Sequence, residues 1–273
     1  MEVKLAKSAG FCFGVKRAVD LVYQQSDSCN NVYTYGPIIH NEDVVNDLSS
    51  KGVNVINNKE ELKDITKGTI IIRSHGVSRD TLSAMSVNEN NVLDATCPYV
   101  LKIHKVVEEQ SNNGRYIIVV GSAEHPEVQG IVGWCNGLVS VIKDEEEAKN
   151  LNIDKEAKVC IVSQTTFNYN KFQDIVEIIS KKGYDILVLN TICNATQVRQ
   201  TEAEKLAKTS DAMIVIGGKH SSNTKELYNK MKQVLKEREI NILNLRFGLN
   251  GKKPKTVDNI VNNIGTIFAL NAR

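Results

Sequence analysis

At 273 residues, with 41% hydrophobic and 24% charged side chains, the chain has the composition of an ordinary folded protein that can bury a sizeable core. Thirty-four Lys and Arg against thirty-two Asp and Glu leave a formal charge of +2, which argues against nucleic acid or an anionic membrane as the main partner. No stretch approaches the roughly 18 apolar residues of a membrane span, and "MEVKLAKSAGFCFGV" lacks the apolar core of a signal peptide, so the cytosol is the expected location.

From the N-terminus, "FCFGVKRAVDLV" sets Val15, Ala18, Val19 and Val22 at i, i+3, i+4 and i+7, predicting a helix with one apolar face directly after Cys12. "VYTYG" then reads as a strand closed by Gly36, with His40 just beyond it in "PIIHN". The apolar run of "TIIIRSHGV" predicts a buried strand that delivers His75. "TCPYVLKIHKVV" repeats the helical spacing with Val100, Ile103 and Val107 after Cys97. "YIIVVG" is the next strand, followed by His125 and Glu127 in "HPEV". "KVCIVSQTTF" is another strand, with Thr165 past its end, and a helical stretch runs from Lys171 to Lys182. A third, more polar helix follows Cys193 in "ICNATQVRQTEA", then the strand "AMIVIG" and the cluster Ser221, Ser222 and Asn223.

These elements repeat. Gly36, Gly121 and Gly217 each lie 24 positions after Cys12, Cys97 and Cys193, and His40, His125 and Ser221 each lie 28 positions after them. Three equal intervals define a unit of cysteine, helix, strand, glycine and polar ligand-type residue. Strands alternating with helices at this spacing predict an α/β fold of small parallel sheets covered on both faces, with binding groups beyond the carboxyl ends of the strands. The expected architecture is three similar lobes with pseudo-threefold symmetry around a central cavity: residues 14–96, residues 97–192, and residues 1–13 together with 193–273.

The six cysteines contain no C-x-x-C pair and no local iron-sulfur spacing, so any metal site must be assembled from distant segments. Cys29, Cys135 and Cys160 fall outside the repeat register and read as ordinary free thiols, in a polar loop, a helix end and a strand. Cys12, Cys97 and Cys193 share the register, and each precedes a helix whose N-terminus favours thiolate. One thiolate per lobe can hold a single 4Fe-4S cluster and leave its fourth iron open as a Lewis-acid site.

Taken together, "GFCFGV", "GPIIHN", "SHGV", "DATCP", "HPEV", "SQTT", "TICNATQVRQ" and "SSNT" resemble the 4-hydroxy-3-methylbut-2-enyl diphosphate reductase family over residues 1 to about 228. The resemblance implies the last step of the non-mevalonate isoprenoid pathway. Two electrons and two protons would remove the substrate hydroxyl as water and yield isopentenyl or dimethylallyl diphosphate. The cluster on Cys12, Cys97 and Cys193 would bind that hydroxyl, and a ferredoxin or flavodoxin would supply the electrons. Glu127 matches the family's acid, and Thr165 matches the threonine that orders proton transfer. His40, His75, His125, Ser221, Ser222 and Asn223 match its diphosphate donors. Each residue alone also has an ordinary role open to it: a solvated histidine, a first-turn carboxylate, or a helix-cap serine. Their shared register with the cysteines favours the functional reading.

The chain departs from the family at its end. Where the family has a strand closed by a "TAGAS"-like turn, this chain reads "RFGLNGKKPKTVDNIVNNIGTIFALNAR", with Val257, Ile260, Val261 and Ile264 at helical spacing and "TIFAL" as a candidate strand. One phosphate anchor is therefore missing or replaced. A non-catalytic cluster- or diphosphate-binding relative is the alternative reading. A dehydratase-type enzyme such as quinolinate synthase also uses one cysteine per lobe, but "HPEV" and "SSN" count against it.

Overall fold

A computed structural model describes residues 4–210, 213, 215, 217 and 221–232. These fall into two compact units, one spanning residues 11–193 and the other formed by the residues up to 10 and from 194 onward.

The larger unit contains two four-stranded parallel sheets. The first is built from α1 (Phe13–Ser28), β1 (Val32–Tyr35), α2 (Glu42–Ser50), β2 (Asn54–Ile56), β3 (Thr69–Ile72), α3 (Arg79–Met85) and β4 (Asn91–Asp94), with strand order β2-β1-β3-β4. The second follows with α4 (Pro98–Asn112), β5 (Tyr116–Val120), α5 (Pro126–Val132), β6 (Val139–Ile142), α6 (Glu145–Asn150), β7 (Lys158–Ser163), α7 (Tyr169–Ser180) and β8 (Asp185–Val188), in the equivalent order β6-β5-β7-β8. Every strand pair is parallel.

Burial on both faces explains why the central strands read as unbroken apolar runs. Along β3, Ile71 packs with Ala18, Val19 and Val22 of α1, while Ile70 and Ile72 turn to the opposite core with Leu62 and Met85. Along β5, Ile117 and Val119 meet Ile103 and Val107 of α4, and Ile118 and Val120 meet Phe172, Ile175 and Ile179 of α7. The strand period of two thus feeds two cores at once.

In each sheet the direction of winding reverses between the two central strands, β1 and β3 or β5 and β7. That is where an open α/β sheet forms a crevice beyond its carboxyl edge. His40 and His75 follow β1 and β3, and His125 and Thr165 follow β5 and β7. The outer strands β4 and β8 lead instead to Cys97 and Cys193.

In the smaller unit, α8 (Asn194–Ala207) and α9 (Ser222–Lys232) are the described helices. Glu202 of α8 accepts hydrogen bonds from the Lys7 amide at 2.7 Å, the Ser8 amide at 2.9 Å and the Ser8 hydroxyl, which ties the N-terminal segment to α8. The strand expected at "AMIVIG" lies half outside the described residues, and the elements expected at 257–264 and "TIFAL" lie wholly outside them.

Candidate functional site

Two of the register cysteines are N-cap residues: Cys12 of α1, and Cys97 of α4, where Pro98 presets the first helical turn. Cys193 immediately precedes α8. The Cys97 amide donates to the Ser74 carbonyl at 3.0 Å and the Cys193 amide to the Thr165 carbonyl at 2.9 Å, so each cysteine is tied to the loop beyond its neighbouring strand. The Cys97 thiol is within electrostatic range of both Cys12 and Cys193. Burial pushes the Cys97 thiol up, Cys12 and Cys193 add to that, and the amides of Tyr99 and Val100 pull it down without closing a capping hydrogen bond. Gly14 makes room for this arrangement, because a Cβ there would lie 2.5 Å from Cys97 Sγ. Cys12, Cys97 and Cys193 are free thiols, soft donors of the type that holds iron in thiolate-bound clusters.

The histidines converge as well. Ring centroids lie 4.6 Å apart for His40 and His75, 5.8 Å for His40 and His125, and 5.4 Å for His75 and His125. Asn41 caps α2 by accepting the Asp43 and Val44 amides, which fixes His40 one residue outside the helix. His125 is itself the N-cap of α5, its Nδ1 accepting the Glu127 amide at 3.2 Å. Burial holds His75 well below the usual imidazole range, with further depression from His40, His125 and Arg73, so this ring is neutral at physiological pH. Its buried Nδ1 has no hydrogen-bond partner among the described residues.

Ligand atoms of the three histidines lie within 4.8 Å of one another, close enough to raise the question of a divalent cation. Zinc bonds of about 2.05 Å would need nitrogens about 3.4 Å apart. The tautomer of His125 also argues for an anion. With its Nδ1 lone pair engaged by the Glu127 amide, a neutral ring carries its proton on Nε2, a donor for an oxyanion and no ligand for a metal.

Glu127 lies in the first turn of α5 yet is only 2% exposed. Its carboxylate accepts the Thr165 amide at 2.6 Å and the Thr165 hydroxyl at 2.8 Å. Burial raises its pKa from 4.5 to about 7 against the lowering effect of both Thr165 bonds. A carboxyl poised near neutrality beside a hydroxyl can give and recover a proton. In the smaller unit, the Ser221 hydroxyl accepts the Thr224 amide at 3.3 Å, so Ser221 works as a cap for α9. Asn223 Oδ1 accepts the Thr196 hydroxyl at 3.1 Å, and Ser222 is the first residue of α9.

A family profile described as LytB protein matches residues 3–245. The chain belongs to the LytB protein family. Among curated relatives of this LytB chain, 4-hydroxy-3-methylbut-2-enyl diphosphate reductase of Caldanaerobacter subterraneus subsp. tengcongensis is 46% identical over 230 residues, covering 83% of this chain and 79% of the relative. The enzyme of that name from Geobacter metallireducens is 48% identical over 227 residues, with the same coverage. Two solved structures are also similar. The E-1-hydroxy-2-methyl-but-2-enyl-4-diphosphate reductase from Plasmodium falciparum has a TM-score of 0.77 at 29% identity, over 82% of this chain and 71% of that one. A structure described as (E)-4-hydroxy-3-methyl-but-2-enyl diphosphate reductase, the terminal enzyme of the non-mevalonate pathway, has a TM-score of 0.68 at 40% identity, over 85% and 83%.

Two groups of this LytB chain, one buried and one partly buried, were not singled out from its sequence. His104 of α4 is buried and stacks on Trp134 with centroids 5.4 Å apart. Trp134 Nε1 donates to the Val77 carbonyl at 2.8 Å, and Arg79 lies over its ring at 5.1 Å while pairing with Glu108 at 2.6 Å. This stack supports the loop carrying His75 from behind, and a Cβ at Gly76 would come within 2.7 Å of the His104 ring. The signal was present: position 104 completes the inward stripe of residues 100, 103 and 107. The other group is Arg73, the first residue after β3.

Proposed function

We propose that the chain is a reductase that converts 4-hydroxy-3-methylbut-2-enyl diphosphate to isopentenyl and dimethylallyl diphosphate. The observation that carries this reading is a buried, near-neutral Glu127 bonded to Thr165, its amide donating to His125 of a cluster of three histidines. In the overall reaction the allylic C–O bond breaks, two electrons and two protons are consumed, and the oxygen leaves as water.

His40, His75 and His125 bind the diphosphate as hydrogen-bond donors. Ser221, Ser222 and Asn223 carry the family's remaining donor motif, and their role as further phosphate donors belongs to the same proposal. Thr165 orients the departing hydroxyl and passes protons between it and Glu127, whose second proton transfer goes to the allyl carbon. Burial of Glu127 keeps its proton available near pH 7 and keeps bulk water from competing with it. Cys12, Cys97 and Cys193 would hold a 4Fe-4S cluster. When bound, such a cluster supplies electrons one at a time and one iron without a protein ligand. A ferredoxin or flavodoxin is the proposed donor of those electrons, and the cytosol the proposed compartment. Among the described residues no helix is long and apolar enough to cross a membrane. Three lobes, with residues 1–13 and 193–273 as the third, remain the proposed architecture.

The test is anaerobic reconstitution with iron and sulfide, followed by oxidation of a reduced viologen dye on addition of the hydroxylated diphosphate. Substrate-dependent oxidation is the expected result. Four irons per chain with no substrate-dependent oxidation would leave a cluster-binding relative without turnover. Assembly unchanged by Cys193→Ser would refute the shared thiolate site.

A further inference from the structure

The two sheets serve as controls for one another. Tyr35 pairs with Ile72 at the end of β1 and β3, and Val120 pairs with Ser163 at the end of β5 and β7. The next residues are therefore structural equivalents: Gly36 with Arg73 in the first sheet, and Gly121 with Gln164 in the second. In both sheets the long side chain crosses the glycine. A Cβ at Gly121 would lie 3.1 Å from Gln164 Cβ and Oε1, and a Cβ at Gly36 would run into Arg73 Nη1 with Cζ at 3.0 Å. Gly36 also has φ +69°, so glycine there meets both a steric and a backbone requirement.

The equivalents differ in what they bond. Gln164 is neutral and donates to the Thr166 hydroxyl at 2.8 Å. Arg73 is a cation whose Nε is buried without a hydrogen-bond partner, and it makes no ion pair among the described residues. The side chain is partly buried, burial disfavours its charged form, and a partly desolvated guanidinium with an unpartnered Nε is costly unless an anion meets it. Arg73 is two residues before His75 and close enough to lower the basicity of that ring. His75, held neutral, can orient a diphosphate but adds no charge to balance it.

We propose that Arg73 is the cationic anchor of the diphosphate held by His40, His75 and His125. This rests on the diphosphate reading above and adds the charged contact that reading lacks. The geometry of the guanidinium suits two parallel hydrogen bonds to phosphate oxygens, which a lysine ammonium cannot reproduce. The symmetry break gives the role its place: the second sheet, which supplies the proton-transfer pair, carries a neutral residue at the same point.

The experiment is calorimetric titration of the full chain with inorganic pyrophosphate, using wild type, Arg73→Met, Arg73→Lys and His75→Ala, with melting temperatures measured with and without pyrophosphate. For loss of a charged contact, Arg73→Met should weaken pyrophosphate binding by about tenfold or more, and Arg73→Lys should fall between it and wild type. The ligand-free melting temperature of Arg73→Met should equal or exceed that of wild type, because a partly desolvated charge with no ion-pair partner among the described residues has been removed. In the reconstituted enzyme, KM for the hydroxylated diphosphate should rise by the same factor, with kcat within about twofold. Pyrophosphate binding lost in His75→Ala but kept within about twofold in Arg73→Met overturns the anchor and leaves the diphosphate site standing. A lower ligand-free melting temperature in both Arg73 variants would make the residue structural and overturn it too. Absence of pyrophosphate binding by wild type would sink the diphosphate reading, and the anchor with it.

Discussion

Replacing Glu127 with Gln should remove a pH dependence of stability that the wild-type chain carries. The carboxyl titrates near 4.5 when unfolded and at about 7 in its buried site. Between those values the folded chain holds a proton that the unfolded chain has released, so stability falls as pH rises through the window and the loss is complete above pH 7. The 2.5-unit difference corresponds to about 3 kcal/mol, of which about 2.5 kcal/mol is lost between pH 5 and pH 8. Glutamine fills the same space, and its single acceptor oxygen can satisfy only one of the two Thr165 donors, which shifts stability by a constant amount. The assay is urea unfolding of the reduced, cluster-free chain at half-unit steps from pH 5 to 8, comparing wild type with Glu127→Gln. The difference should change by about 2.5 kcal/mol in favour of the variant as pH rises. Parallel curves within about 0.5 kcal/mol would refute a buried carboxyl poised near neutrality and the proton-transfer role built on it.

Gly14→Ala should improve the intrinsic helix propensity of α1 by up to about 1 kcal/mol while pressing on Cys97 Sγ. Iron bound per chain after reconstitution should therefore drop in a protein that still folds, as read by iron assay and circular dichroism. Cys160→Ala should show the opposite pattern, with full iron content but about 1 kcal/mol less stability, because this thiol is buried in the core around β7. The His75 ring, depressed below 6.5, should remain neutral at pH 6 by imidazole nitrogen NMR. Its contribution to stability is full above pH 6.5 and is lost as pH falls below it, opposite in sign to Glu127. Trp134→Phe should cost about 1 to 2 kcal/mol by losing the bond to the Val77 carbonyl, and should raise KM by loosening the loop that carries His75.

Much of the larger unit was legible because its sheets are parallel and double-faced. Thr69 to Ile72 and Tyr116 to Val120 can be buried only as strands between two helical layers, and the fixed distance from cysteine to glycine to histidine records one unit used again. The short edge strands Asn54–Ile56 and Val139–Ile142 gave no such signal, since three or four residues half exposed to solvent carry little hydrophobic period. His104 was passed over by a pattern that counted only apolar side chains, although a buried neutral imidazole occupies the same stripe. Arg73 was hidden for a tertiary reason. An arginine after a strand reads as a surface residue, and only the missing side chain of Gly36 across the sheet gives it an inward path. Glu127 shows the same limit. "HPEV" located the carboxyl, but its near-neutral pKa comes from the core closing around it.

Cys97 is the point where the first sheet's loops end and the helix covering the second sheet begins, its amide bonded to Ser74 and its carbonyl already accepting the Leu101 amide. A group bonded to Cys12, Cys97 and Cys193 would therefore close the backbone into two loops, residues 12–97 and 97–193, fastened at the joints between successive elements. Cross-links spanning loops of that length can remove on the order of 4 kcal/mol of denatured-chain entropy each. Iron in this chain would thus also act as a staple, and its loss to oxygen should appear as faster proteolysis at the joints as well as lost turnover.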